Sequence, residues 1–294
     1  MQAKEGHIAV GGFKLFYRTF GTGETNLLCL HGGPGLSHGY LLPLAKLADE
    51  RLSVVLYDQL GCGKSQRPNL GAMEELQSCF NIEYATEEVE GVRSALGLQR
   101  IILLGHSYGG QLALQYALKY QEHMAGLVLT GAYASVPEAV AEMGRLKKRL
   151  PAKTRTTLAK YESLWAFQSP DYVRALNAYY RSFFCRIHPW PRELKRVLDE
   201  INLPIHWAMN GVDELAIRGN LREWDITDRL HEIHVPTLIT SGKYDLITPK
   251  LARRIGREIA GSRLVIFRKS SHFPMWEEQS LYLKTLNDFL TAKP

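Results

Sequence analysis

Gly105-His106-Ser107-Tyr108-Gly109-Gly110 sets a serine between residues of minimal bulk. An apolar run at 101–104 precedes it and a helical pattern starting near Gln111 follows, so the spacing predicts strand, sharp turn and helix. A turn that tight needs small flanks, which Gly105 and Gly109 supply. It lifts Ser107 above the carboxyl edge of a sheet, at a helix amino terminus whose dipole favours developing negative charge. That is the setting of a nucleophile for acyl transfer. His106 lies inside the turn, too close along the chain to swing round to Ser107, and is assigned to packing.

A serine at neutral pH is a weak nucleophile and needs a base that is itself held by a carboxylate. After a strand–serine–helix turn of this kind the partners follow in the order acid, then histidine. Asp245 comes just after the apolar run 236–240, and His272 follows the last apolar run, in Ser270-Ser271-His272-Phe273-Pro274. Both are therefore expected in loops on the edge where Ser107 emerges. The other histidines fit less well: His31 belongs to another loop, His188 and His206 fall in a helical interval, and His231 and His234 precede a strand. The loop His31-Gly32-Gly33-Pro34-Gly35 follows the apolar run 27–30. Acyl transfer passes through a tetrahedral oxyanion, and glycines let backbone N–H donors approach it closely. Gly33 and Tyr108, the residue after the serine, are assigned as those donors, with His31 bracing the loop.

The elements that must position these residues are legible as periodicity. Residues 8–10 and 13–18 flank Gly11-Gly12, a pair suited to a β-hairpin turn. Short apolar runs follow at 26–30, 52–57, 100–104, 126–130, 236–240 and 263–267, as a sheet buried on both faces requires. Helical patterns lie between them, notably 86–96, with Thr86 as its cap, and 109–120. The expected class is α/β, a mostly parallel, doubly wound sheet with an amino-terminal antiparallel hairpin. About 100 residues separate the strand ending near Thr130 from the one beginning at Pro236, where a βαβ crossover takes about 30. The interval carries helical patterns at 137–150, 154–168, 171–184 and 192–201. It is expected to be a helical cap at 133–230, inserted into a core formed by 1–132 and 231–294.

The composition excludes other classes. In 294 residues, 45% apolar and 22% charged residues match a globular domain rather than a disordered chain or a small disulfide scaffold. No apolar stretch approaches the roughly 18–20 residues of a membrane span, and the amino end shows no secretory signal pattern. Four cysteines without metal-ligand spacing point to a reducing, cytoplasmic setting. The net charge of +6 concentrates between Arg145 and Lys160, a run read as a solvated helix face, since nothing beside it looks like a nucleic-acid module.

Together these residues resemble the proline iminopeptidase family of α/β-hydrolases, serine aminopeptidases bearing His-Gly-Gly-Pro-Gly. The resemblance extends through Asp58-Gln59-Leu60-Gly61-Cys62-Gly63-Lys64-Ser65, Cys185-Arg186, Pro189-Trp190-Pro191, Met209-Asn210-Gly211-Val212-Asp213-Glu214, Trp224-Asp225-Ile226 and Ser271-His272-Phe273-Pro274-Met275-Trp276-Glu277. It covers nearly the whole chain, and the cap blocks look most like the branch containing the archaeal tricorn-interacting aminopeptidase. It implies release of amino-terminal residues from short peptides or amino-acid amides, with no metal or organic cofactor. It also implies that Glu214 holds the substrate's α-ammonium, with Gly32 and Trp276 as further substrate contacts. Two departures stand out. Leu246 replaces the second glutamate that follows the acid in that branch, and Val212-Asp213 replaces Pro-Asn before the anchor. Losing one carboxylate weakens capture of an amine, which leaves an amidase, ester hydrolase or lactonase as the alternative. Epoxide hydrolases and haloalkane dehalogenases carry a carboxylate at the turn, and Ser107 argues against them.

Overall fold

The computed structural model describes residues 3–213 and 215–292. Gly11 and Gly12 both take positive φ, 55° and 83°, and close a hairpin between β1 (Lys4–Val10) and β2 (Phe13–Phe20). The remaining strands are β3 (Thr25–Leu30), β4 (Leu52–Tyr57), β5 (Ile101–His106), β6 (Met124–Thr130), β7 (Thr237–Gly242) and β8 (Arg263–Phe267). They form one eight-stranded sheet in the order β1-β2-β4-β3-β5-β6-β7-β8. The β1–β2 and β2–β4 pairs are antiparallel, and every later pair is parallel.

Alternation within the strands explains why they read as unbroken apolar runs. Leu28, Leu30, Val55, Tyr57, Ile101, Leu103, Leu127 and Leu129 feed one core. Their neighbours Leu27, Cys29, Val54, Leu56, Ile102, Leu104 and Val128 feed a second core on the opposite face. Most residues of the central strands are buried on one side or the other, so few polar positions interrupt the pattern. Helices cover both faces, beginning with α1 (Met73–Cys79), α2 (Ile82–Ala95) and α3 (Tyr108–Tyr120).

Between β6 and β7 lie α4 (Val136–Lys147), α5 (Ala152–Ser163), α6 (Pro170–Phe183), α7 (Arg192–Asp199) and α8 (Leu203–Met209). The end of α4, α5 and α6 share a separate apolar cluster of Leu146, Leu158, Tyr172, Leu176, Tyr179 and Leu215, whereas α7 and α8 pack into the two main cores. The outgoing and returning chains are zipped together. Val136 N–H donates to Trp224 O at 2.9 Å, Ile226 N–H donates to Ala134 O at 2.9 Å, and Ser135 Oγ donates to Asp225 Oδ2 at 2.7 Å. The chain then completes the fold with α9 (Pro249–Glu258), α10 (Pro274–Glu277) and α11 (Gln279–Leu290).

Local differences from expectation have local causes. Helix α2 begins at Ile82, where Asn81 caps it by accepting from Tyr84 N–H at 2.8 Å. Thr86 is not a cap; it sits inside the helix and its hydroxyl donates to Ile82 O. The short helices α1 and α8 gave too few turns to show a period. Among the described residues no helix is long and apolar enough to cross a membrane. Part of the basic run is neutralised, with Arg145 paired to Glu142 at 2.7 Å and Lys147 paired to Glu162.

Glycine substitutions test this packing. A Cβ at Gly105 would lie 2.1 Å from Gly109 O, whereas one at Gly144, in α4, meets nothing within 4 Å. Gly105→Ala is therefore expected to destabilise by about 4 kcal/mol or more. Gly144→Ala should stabilise by up to about 1 kcal/mol. Thermal unfolding of the two variants checks both signs.

Candidate active site

Five parallel neighbours in the sheet, β3, β5, β6, β7 and β8, end on the same edge, and the loops after them meet there. This is where an open α/β sheet binds ligands. Ser107 stands between β5 and α3 at φ 58° and ψ −125°, one of only two non-glycine residues with positive φ among the described residues. The strain is held by backbone contacts. Ser107 N–H donates to Thr130 O at 3.0 Å, and Ser107 O accepts from Gly110 N–H at 2.8 Å.

His272 Nδ1 lies 2.7 Å from Asp245 Oδ1, and both side chains are almost wholly buried. The same carboxylate oxygen accepts from Ile247 N–H at 2.8 Å, which fixes its rotamer. With Nδ1–H donated to the acid, Nε2 is the nitrogen available to a hydroxyl. Ser107 and His272 border one cavity of about 260 Å³. Among the described residues no hydrogen bond joins Ser107 Oγ to the ring; such bonds tighten when substrate binds.

The glycine loop lies directly against the serine. A Cβ on Gly32 would stand 2.8 Å from Ser107 Cβ. Gly32 N–H is taken up by the Tyr40 hydroxyl, to which it donates at 2.6 Å. Tyr108 occupies the first turn of α3, where backbone N–H groups have no intrahelical acceptor. Gly32 and Gly33 border the cavity. Trp276, expected to contact substrate, does not border it: its indole donates to Tyr40 O at 2.8 Å and its ring packs on the core. Glu214 lies outside the described residues.

Two histidines near the serine are structural. His106 Nε2 donates to His272 O at 2.8 Å, which leaves Nδ1 to accept from the Tyr40 hydroxyl at 2.9 Å. Tyr40 and His106 thus form a strut between the Gly32 loop and the His272 loop. Burial pushes the His106 imidazole well below its usual range, and the neighbouring His272 adds to the shift. His31 accepts from Gln59 N–H through Nε2 at 3.1 Å and donates from Nδ1 to Gly32 O at 2.9 Å. Burial lowers it to about 4.

The inserted helices reach all three loops. At the end of α6, Phe183 O accepts from Leu246 N–H at 2.9 Å and Phe184 O accepts from His272 N–H at 3.1 Å. From the start of α8, Asn202 N–H donates to Gly35 O at 2.9 Å, and His206 Nδ1 donates to Pro34 O at 3.0 Å. The Glu277 carboxylate accepts from Ser271 N–H at 2.7 Å and from the Ser271 hydroxyl. Tyr40, Phe184 and Asn202 were not singled out from the sequence, and Glu277 was named there only as the end of a block carrying the resemblance. Only Asn202, before Leu203-Pro204, carried a usable signal, that of a helix cap.

A family described as the alpha/beta hydrolase fold matches residues 25–279. A proline iminopeptidase of Saccharolobus solfataricus is 42% identical over 294 residues, 99% of this chain and 93% of that protein. The chain belongs to the proline iminopeptidase family of α/β-hydrolases. Two solved structures share the architecture. One is VinJ, at a TM-score of 0.91 and 31% identity, covering 98% of each chain. The other is a proline iminopeptidase of Mycobacterium smegmatis, at 0.90 and 28%, covering 98% of this chain and 97% of that one.

The packing of this α/β-hydrolase yields two expectations. Tyr40→Phe strands Gly32 N–H and His106 Nδ1 in a dry interior and should cost about 1–3 kcal/mol, measured by urea unfolding. His31 has a folded value of about 4 against an ordinary 6.5, so between those values the unfolded chain binds more protons than the folded one. Stability therefore falls as pH drops through that window, on the order of 3 kcal/mol from His31 alone. Urea midpoints between pH 7 and 4 should show the loss, and His31→Gln should flatten the slope.

Proposed function

We propose that this chain is a cytoplasmic serine aminopeptidase that releases the first residue from short peptides or amino-acid amides. Ser107 attacks the first carbonyl while His272 Nε2 takes the hydroxyl proton, and Asp245 holds the imidazole and stabilises its charged form. The N–H groups of Gly33 and Tyr108 receive the oxyanion. His272 then protonates the leaving amine, and water, activated by the same imidazole, releases the residue from the serine. Segment 133–230 acts as a cap, with Glu214 anchoring the α-ammonium and fixing which carbonyl falls over Ser107. The reading needs no metal, cofactor, nucleic acid or membrane. Four free thiols support the reducing compartment.

The observation that carries the proposal is the meeting of Ser107 and the His272–Asp245 pair at one cavity, in a chain 42% identical to a proline iminopeptidase. One observation favours the second reading, an amidase, esterase or lactonase. Leu246 packs against the apolar clusters of both the core and the inserted helices, and brings no second carboxylate.

A panel of prolyl, alanyl and phenylalanyl arylamides, each with its N-acetylated counterpart, separates the two. Free-amine substrates should be strongly preferred, Glu214→Gln should raise KM for them selectively, and Ser107→Ala should lower kcat by about 10⁴-fold or more. Equal turnover of acetylated substrates would transfer the assignment to the second reading.

A further inference from the structure

An open apolar groove of about 620 Å³ lies on the inserted helices, bordered by Trp165, Phe167, Tyr172, Leu176, Leu203 and Trp207. It shares its walls with the cavity that contains Ser107. Leu203 borders both spaces; α6 gives Asn177 and Tyr180 to the cavity and Tyr172 and Leu176 to the groove; α8 gives His206 and Trp207 respectively. Leu203 is the one residue the two spaces share among the described residues, so the groove adjoins the cavity at the start of α8.

The rim of the groove is exposed, its floor at Tyr172 and Leu176 is buried, and the Arg218 guanidinium stands 5.7 Å from the Trp165 ring centroid. Trp165 is 65% exposed and Leu203 is 41% exposed, and among the described residues bordering the groove none carries a charge. Contiguous exposed apolar surface of this kind marks a binding site. Trp165 is also held at φ 52°, where α5 ends and glycine is the usual occupant. Its N–H donates to Glu162 O at 3.2 Å, and Ala166 N–H donates to Tyr161 O at 2.9 Å.

We infer that the groove binds the part of a peptide beyond the scissile bond, and that it selects apolar side chains at the second to fourth residues. The inference rests on the aminopeptidase reading. Nothing precedes the first residue of such a substrate, so an extended surface adjoining the cavity serves the leaving side. The inner cavity, at about 260 Å³, falls below the roughly 300–1,000 Å³ of pockets that enclose drug-sized ligands, so a longer peptide must continue outward. Leu203 is the threshold it crosses, and the rings of Trp165 and Trp207 are the apolar surface it meets.

The test uses two tetrapeptides with a common first residue, one continuing Leu-Phe-Leu and the other Ser-Gly-Ser, beside the arylamide of that residue. The wild type is expected to favour the apolar tetrapeptide about 10-fold in kcat/KM, chiefly through KM. Trp165→Gly, which removes the ring yet suits the left-handed backbone, and Trp207→Ala should each reduce that preference at least fivefold and leave the arylamide unchanged. Calorimetry on Ser107→Ala reads the same preference as Kd without turnover. Equal handling of the two tetrapeptides, or a preference that survives Trp165→Gly, overturns the inference even while arylamides are cleaved. Loss of arylamide cleavage by the wild type would instead strike the aminopeptidase reading, and calorimetry would still judge the groove. Self-association that depends on Trp165 would assign the face to a second copy and overturn the inference as well.

Discussion

A serine at φ 58° and ψ −125° has no local reason to stay there, since such a conformation costs on the order of 1–3 kcal/mol. It is held because the strand before it and the helix after it approach more closely than side chains allow. Gly105 meets the backbone of Gly109, and Gly109 meets Leu30 O, so adding a Cβ at either position drives it into a carbonyl group. Gly110 packs on Ala132 in the same way. The glycine loop after β3 then closes on the serine from the other side. Each of these contacts needs the others in place, so the turn, the sheet edge and the loop form one packing unit.

Around that unit the loops have few strands or helices of their own and depend on borrowed hydrogen bonds. The Tyr40–His106 strut joins the Gly32 loop to the backbone of His272. Carbonyls at the end of α6 take the N–H groups of Leu246 and His272, one on each side of the acid–imidazole pair. Asn202 and His206 hold Gly35 and Pro34 from above. The inserted helices therefore do more than roof a cavity. They complete the backbone hydrogen bonding of the loops that carry Asp245 and His272, and displacing α6 would leave buried N–H groups without acceptors.

The fold was legible because the central strands bury both faces, which prints apolar runs directly into the sequence, and because the Gly-Gly turn and the turn around Ser107 each need particular small residues. The placement of Asp245 and His272 was legible from chain order and strand ends. What could not be read was everything that depends on contacts between distant segments. Tyr40 lies in a run of 3-10 turns, His38–Leu47, whose spacing carries no helical period. The acceptors on Phe183 and Phe184 are main-chain carbonyls, which no residue type announces. The contacts of Trp276 could not be read for a related reason: a tryptophan four residues after the histidine suits a cavity wall as well as a core, and its indole bonds to Tyr40 O, far away in the chain.

This division has a chemical consequence. Ser107, Asp245 and His272 belong to short motifs at strand ends, where geometry follows from the sheet. The walls of the cavity around Ser107 depend on the packing of α6 and α8 against those motifs, α6 being held by a separate apolar cluster and α8 by the main core. Leu246 sits on the boundary: its N–H belongs to the first system, through Phe183 O, and its side chain to the second, against the apolar clusters. Leu246 is half-buried and packs against the cluster of Leu146, Tyr179 and Leu215, so a glutamate there would give up apolar contact and set a charge beside the cluster. The leucine and the apolar interior therefore go together, and restoring a carboxylate at 246 would require polar partners from α6 as well.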